Sequence, residues 1–173
     1  MGGREQPDLK IEPLGSHHDR ASFTCGIESL DRYLKTQASQ DVKRMANGVF
    51  VLAELDEPNA VLGYYTLCAT SLAPGEVPLA ARKFVPRYPL VAATLIGRLA
   101  VAQRRQGEGL GVLLLADALR RAYASAGIVG SSMVVVDAIS EQAAAFYEAT
   151  GFVRLPDSLR LVLPTTTIAK LLE

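Results

Sequence analysis

The run Val101-Ala102-Gln103-Arg104-Arg105-Gln106-Gly107-Glu108-Gly109-Leu110-Gly111 combines two features that bind phosphate. Glycines at 107, 109 and 111 let an anion come close to backbone N–H groups. The segment from Leu110 has helical spacing, and the first amides of a helix lack intrahelical partners and carry about half a positive charge. Arg104 and Arg105 add side-chain charge. The chemistry specifies either a phosphate-bearing ligand or, more plainly, a glycine-rich turn shaped for the start of a helix. No Lys-Ser/Thr pair follows the last glycine, which excludes a Walker loop. The spacing also departs from the Gly-x-Gly-x-x-Gly of a dinucleotide site.

Other chemistry-bearing residues are sparser. Arg98 is a lone cation in an apolar strand beside the loop, a placement that suggests a site residue. Lys43, Arg44, Arg82, Lys83 and Arg87 are further cations of the kind that phosphate contacts need, although each alone reads equally well as surface charge. His17 and His18 read as solvated residues of an N-terminal turn. Asp137 and Glu141 read as acids at a helix terminus. Cys25 and Cys68 lack a paired histidine and match no metal spacing, so neither a thiol nucleophile nor a metal is expected. No general base stands out.

The formal net charge is zero, but the charges are unevenly placed. Between Arg82 and Arg121 stand eight basic and two acidic residues, whereas eleven of the 18 acids lie at or before Glu76. The middle of the chain can therefore present a basic face to a phosphate-bearing ligand, unless these charges are simply solvated helix surface.

The elements that must hold these residues follow from periodicity. Leu9–Leu14 reads as a short strand, and residues 1–7 as a disordered lead-in. Ile27–Ala46 has helical spacing, with Leu30, Tyr33, Leu34 and Ala38 on one stripe. Gly48–Leu55 and Ala60–Thr70 form a hairpin about the turn 56–59. Four prolines between residues 73 and 89 exclude a long helix and leave a long connection, a type of segment that is often functional. Leu95–Val101 reads as a strand, and Leu110–Ala124 as a helix with Leu110, Leu113, Leu114 and Ala118 on one face. Ser132–Ala138 reads as a strand covered on both sides. Ser140 caps a helix that stops at Gly151. Phe152–Leu155 and Leu159–Leu163 complete the strands, and a short helix follows Thr165. The order implies an α/β (α+β) fold, a mixed central sheet with helices on both faces, in a single domain over residues 1–173.

An apolar fraction of 49% in 173 residues supports a sizeable core without disulfide or metal staples. No apolar run follows the first residues, and none is long enough to span a bilayer. With two cysteines, both expected to be small buried thiols, the reading is a reduced, cytoplasmic protein with no membrane association.

Arg104-x-x-Gly107-x-Gly109 resembles the Arg/Gln-x-x-Gly-x-Gly/Ala signature of the GNAT acetyltransferases. The segment Ala145-Phe146-Tyr147-Glu148-Ala149-Thr150-Gly151-Phe152 resembles that family's second hallmark, a helix ending in Phe-Tyr-x-x-x-Gly-Phe. The resemblance implies a GNAT fold and acetyl-CoA as cofactor. It implies that the amides of Arg104, Arg105, Gln106, Gly107, Glu108, Gly109, Leu110 and Gly111 bind the pyrophosphate, and that the backbone of Leu99, Ala100 and Val101 lies beside the pantetheine arm. It also implies that Tyr147 is the general acid. Coenzyme A leaves as a thiolate, and a phenol with a pKa near 10 still holds a proton to donate at neutral pH. The plainer reading of Tyr147 is that it packs the sheet with Phe146 and Phe152.

A narrower resemblance covers most of the chain from Phe23. Phe23-x-Cys25-Gly26, Leu30-Asp31-x-Tyr33-Leu34, Gly63-Tyr64-Tyr65-Thr66-Leu67 and Gly97-Arg98-Leu99-Ala100-Val101 are similar to the GNAT toxins of bacterial toxin–antitoxin pairs. After Val101 that subfamily often has Asp, where this chain has Ala102. The implied activity is acetylation of the free amino group of aminoacyl-tRNA, blocking translation. The implied partners are aminoacyl-tRNA, a ribbon–helix–helix antitoxin and a second copy in a homodimer. On this reading Lys43, Arg44, Arg82, Lys83, Arg87 and Arg98 are the tRNA-binding candidates. The alternatives are a GNAT enzyme acting on a protein N-terminus, a lysine or a small amine, and a catalytically dead coenzyme A-binding module.

Overall fold

The computed structural model describes residues 8–172, so the expected disorder of residues 1–7 lies outside the described residues. The strands are β1 Leu9–Pro13, β2 Gly48–Glu54, β3 Gly63–Leu72, β4 Val91–Val101, β5 Met133–Asp137, β6 Val153–Arg154 and β7 Arg160–Pro164. The helices are α1 Glu28–Thr36, α2 Ala38–Lys43, α3 Leu110–Ala126, α4 Glu141–Thr150 and α5 Ile168–Leu171. The strands form a seven-stranded sheet in the order β1-β2-β3-β4-β5-β7-β6. It is mixed: β4 and β5 are parallel, whereas β1–β2, β5–β7 and β6–β7 are antiparallel. The chain divides into two compact units, residues 8–66 with 98–115 and residues 67–97 with 116–172. No helix among the described residues is long and apolar enough to cross a membrane.

In the first unit, β1 and β2 pair from Leu9↔Glu54 to Pro13↔Phe50. The stripe Leu30, Tyr33, Leu34 and Ala38 is buried against Val49, Val51 and Tyr64, with Phe23, Ala100 and Ala102 in the same core. The buried Tyr64 hydroxyl donates to the Leu30 carbonyl at 2.6 Å, which fixes α1 on β3 without leaving a polar atom unpaired. The expected single helix from Ile27 to Ala46 is two. Gln37 leaves helical geometry at φ −120°, although its amide still donates to the Tyr33 carbonyl at 2.9 Å, and its side chain donates to Asp41 at 3.0 Å.

In the second unit, Ala93–Ile96 of β4 pair with Met133–Val136 of β5, and β5 pairs along its other edge with β7. With a neighbour on each edge, Met133, Val134, Val135 and Val136 are all buried, as their uninterrupted apolar run predicts. Strand β4 starts at Val91, before the expected Leu95, and the Ser132 amide bonds to the Ala92 carbonyl at 2.8 Å. The 73–89 connection holds only 3₁₀ turns, Pro74–Glu76 and Leu79–Phe84. The Ser140 hydroxyl accepts from the Ala143 amide at 3.1 Å to open α4, and Gly151 closes it at φ 113°. Leu113 departs from the expected apolar face of α3. It is 45% exposed, because the buried stripe runs through Leu110, Leu114, Leu115, Ala118, Leu119 and Ala122.

Candidate active site

The β4–β5 pairing ends at Ile96↔Val136, and β4 continues through Arg98, Leu99, Ala100 and Val101. Ala100 is buried, whereas Leu99 and Val101 are half-buried. Beyond the strand, the Ala102 amide donates to Leu62 and the Gln103 amide to Thr24, each at 2.8 Å. A Cβ on Gly63 would stand 2.8 Å from both the Ala100 carbonyl oxygen and Leu114 Cδ1, so the approach of these segments requires glycine there.

A 3₁₀ turn over Gln103–Arg105 leads into the glycine loop. Gln106 Nε2 donates to the carbonyls of Cys25 at 2.9 Å and Val101 at 3.1 Å, which ties the loop to the end of β4 and to the segment before α1. Gly107 and Gly109 both adopt left-handed backbone, at φ 82° and 81°. A Cβ at either would meet no atom within 4 Å, so backbone conformation rather than space demands glycine. Gly111 already lies inside α3 with no left-handed φ. The Leu113 amide donates to Gly109 at 3.3 Å, and the helical amides before it lack an intrahelical acceptor. Glu108 is exposed, whereas Leu110 is buried and anchors the start of α3. Arg104 is exposed and has no ion pair among the described residues. Arg105 is committed to two acids, Glu54 at 2.7 Å and Glu108 at 2.8 Å, and these bonds raise its pKa further. The loop's uncompensated side-chain charge is therefore that of Arg104.

Tyr147 sits on α4, 7% exposed, with its ring edge-on to Phe146 at 5.1 Å and to Phe152 at 5.7 Å. Its hydroxyl makes no hydrogen bond among the described residues, and burial pushes its pKa up to about 12. The ring packs while the hydroxyl stays protonated at neutral pH and uncommitted. Neither nearby acid is an unengaged base. Glu141 holds Arg154 through two bonds of 2.5 and 2.8 Å, and Asp137 holds Arg160 through two of 2.8 and 3.0 Å.

Arg98 is half-buried, and its guanidinium carbon lies 3.5 Å from the centroid of the Tyr33 ring. Tyr33 donates its hydroxyl to Asp41 at 2.8 Å, and Asp41 also accepts from Gln37 and Asn47, each at 3.0 Å. The sequence singled out Arg98 but placed Tyr33 only in the core and gave Asp41 no role, because nothing local links them to β4. Lys43 and Arg44 are exposed at the end of α2, and Arg82, Lys83 and Arg87 are exposed in the proline-rich connection.

His18 contradicts the expectation of a solvated residue, being 4% exposed. Its Nδ1 accepts the Gly15 N–H at 2.9 Å, so the ring proton lies on Nε2, which donates to Glu12 at 2.9 Å. Burial lowers its pKa, and the hydrogen bond from His17 comes first among the causes holding the Glu12 carboxyl down at about 2. The ligand atoms of Glu12, His17 and His18 lie within 4.8 Å of one another. A metal on His18 Nε2 would need the proton on Nδ1, where the Gly15 amide already donates, so the observed bonding is that of a hydrogen-bonded cluster. No disulfide joins Cys25 and Cys68. Burial raises the Cys25 thiol to about 11, away from nucleophilic thiolate chemistry, whereas Cys68 is only half-buried, not buried as expected.

The glycine loop and the helix bearing Tyr147 both fall within residues 46–154, which match the family described as "Acetyltransferase (GNAT) domain". The chain belongs to this family. Two curated relatives of the GNAT chain are toxins. It is 32% identical over 171 residues to "Probable toxin TacT" of Sinorhizobium fredii, covering 94% of each chain. It is 35% identical over 146 residues to the "tRNA-acetylating toxin" of Mycobacterium tuberculosis, covering 84% of this chain and 85% of the other. Among solved structures it is similar to AtaT complexed with acetyl-methionyl-tRNAfMet, with a TM-score of 0.86 at 30% identity over 96% of this chain and 100% of that one. It is also similar to a mutant AtaT toxin bound to acetyl-CoA and the C-terminus of the antitoxin AtaR, with a TM-score of 0.80 at 28% identity over 95% and 98% of the two chains.

Proposed function

We propose that this chain is an acetyl-CoA-dependent N-acetyltransferase toxin that acetylates the free amino group of aminoacyl-tRNA and so blocks translation. One observation carries the reading: the likeness extends over nearly the whole of a structure solved with an acetylated aminoacyl-tRNA.

The residues present fit the cofactor. Two left-handed glycines with open space around them, helix-start amides and the unpaired Arg104 suit a pyrophosphate. Bound acetyl-CoA supplies the activated acetyl group. The backbone of Leu99, Ala100 and Val101 flanks its arm, and residues 104–111 hold its phosphates, with Arg105 bracing the loop through Glu54 and Glu108. The α-amino group, with a pKa near 8, is partly neutral at pH 7 and attacks the thioester carbonyl without a dedicated base. The N–C bond forms and the C–S bond breaks. Tyr147 would give its proton to the leaving thiolate and regain one from solvent, to which the amine's surplus proton passes. Lys43, Arg44, Arg82, Lys83, Arg87 and Arg98 meet tRNA phosphates.

The chain acts as one acetyltransferase domain in the cytoplasm, as a homodimer restrained by a ribbon–helix–helix antitoxin. The deciding assay incubates the protein and labelled acetyl-CoA with charged and uncharged tRNA. Label should enter only charged tRNA, on the aminoacyl nitrogen. If charged tRNA stays unlabelled while a protein N-terminus, a lysine or a small amine is acetylated, the substrate is wrong and the acyl transfer stands.

A further inference from the structure

The connection between β3 and β4 encloses a cavity of about 620 Å³, within the about 300–1,000 Å³ range of small-ligand clefts. Its floor includes Val77 and Val91, both buried. Arg82, Lys83, Arg87 and Tyr88 line it, and no acidic side chain does. The neighbouring acid, Glu76, is engaged elsewhere, with the Ala73 amide at 3.1 Å and Arg160 at 3.0 Å.

Two features of this cavity go unused by the fold. The first is Tyr88, 65% exposed, whose hydroxyl makes no hydrogen bond among the described residues. A large amphipathic ring left in solvent at the edge of a cavity offers a stacking face to a ligand held there. The second is the charge. Arg121, Arg154 and Arg160 of the same unit are all paired with acids. Arg82, Lys83 and Arg87 have no acidic partner among the described residues: Arg82 donates only to the Val77 carbonyl at 3.4 Å, and Lys83 lies 5.0 Å from the centroid of the Phe84 ring. An apolar floor, an exposed aromatic face and three uncompensated cations together suit a flat, apolar-faced group joined to repeated anions. A single-stranded nucleotide has that form, and aromatic stacking beside a cationic track is how such strands are held.

We propose that this cavity binds one unpaired nucleotide of single-stranded RNA, its base against Tyr88 and the valine floor and its flanking phosphates on Arg82, Lys83 and Arg87. The proposal deepens the tRNA reading and rests on it for the source of the strand, the unpaired end of an aminoacyl-tRNA.

The test uses the full chain and a short single-stranded RNA carrying 4-thiouridine, cross-linked by light and mapped by mass spectrometry, alongside steady-state kinetics. The expected cross-link falls within residues 74–91 and is competed by charged tRNA. Tyr88→Leu keeps bulk but removes the stacking face. It should raise KM for charged tRNA and weaken oligomer binding by about tenfold, leaving KM for acetyl-CoA unchanged. Arg87→Gln should weaken both and flatten their salt dependence. A cross-link confined to other segments, or charged-tRNA kinetics unchanged in both variants, overturns the cavity proposal while leaving the tRNA reading intact. Oligomer binding at Tyr88 in a protein that never acetylates charged tRNA supports the cavity and overturns the substrate. An acidic peptide that occupies the cavity while the oligomer does not overturns the proposal in favour of a protein ligand.

Discussion

The guanidinium carbon of Arg98 lies 3.5 Å from the centroid of the Tyr33 ring, and Tyr33 is itself held by its hydroxyl on Asp41. A cation over an aromatic face is stabilised by about 0.5–2 kcal/mol, yet its N–H donors stay available to an anion at the edge. If those donors meet an RNA phosphate, Arg98→Gln lowers the slope of log kcat/KM against log salt by about 0.7–0.9. Tyr33→Phe keeps the ring under the guanidinium and should leave that slope unchanged, while reducing stability through loss of the Asp41 bond. Tyr33→Ala empties a core site and should cost about 3–5 kcal/mol in denaturant unfolding. An unchanged salt slope in Arg98→Gln would assign the arginine to packing alone.

Tyr147 gives a pH signature as well as a mutational one. Tyr147→Phe should lower acetyl transfer by about 10²–10⁴-fold without changing acetyl-CoA affinity in calorimetry. The hydroxyl's pKa is raised to about 12 by burial, so the protonated, donating form persists well above the ordinary tyrosine value. The wild-type rate should therefore stay level between about pH 9 and 11, where an exposed tyrosine acid would already be failing. The same shift governs stability. The unfolded phenol ionises near pH 10, so Tyr147's contribution is intact below that value and is lost between about pH 10 and 12. Tyr147→Phe removes that part of the alkaline decline, and denaturant midpoints measured across the window would show it.

Signals that are local in the chain were legible in advance. The glycine rhythm at 107 and 109, the unbroken Met133–Val136 run, the Ser140 cap and the Gly151 stop each depend on a few neighbouring residues, and each sits where its pattern places it. Features set by packing between distant segments were not. His18 is buried because Glu12 and the Gly15 amide satisfy both ring nitrogens. Gln37 breaks a pattern that is continuous in periodicity. Tyr33 lies under Arg98 through an arrangement of α1 and β4 that no motif encodes. Leu113 shows the limit of helical spacing, since an apolar residue one step off the stripe reads the same until its partners are known.

The two left-handed glycines allow charge to be separated from conformation. At φ 81°, any side chain on Gly109 costs about 1–2 kcal/mol of backbone strain, yet its Cβ meets no neighbour. Gly109→Ala and Gly109→Glu share that strain, and only the second brings a negative charge to the helix start. Acetyl-CoA affinity should fall modestly in the alanine variant and be lost in the glutamate variant, with native circular dichroism in both. Equal affinities would mean that no anion sits at this loop.

Gly63 links the interior to the same site by contact rather than charge. Its missing Cβ leaves room for the Ala100 carbonyl and for Leu114, each of which an added methyl would approach to 2.8 Å. Leu114 is fully buried, and the Ala100 oxygen is backbone, so neither moves cheaply. Gly63→Ala should destabilise the protein by about 1–3 kcal/mol through overpacking. Because Leu99, Ala100 and Val101 are proposed to flank the acetyl-CoA arm, the displaced strand should also raise KM for acetyl-CoA. Adding Leu114→Val relieves one of the two clashes and leaves the other. The double variant should regain part of the lost stability, a coupling expected of touching residues, without regaining the cofactor KM. Full recovery of both would show that Leu114 alone carries the strain and that the Ala100 carbonyl position does not matter to the cofactor.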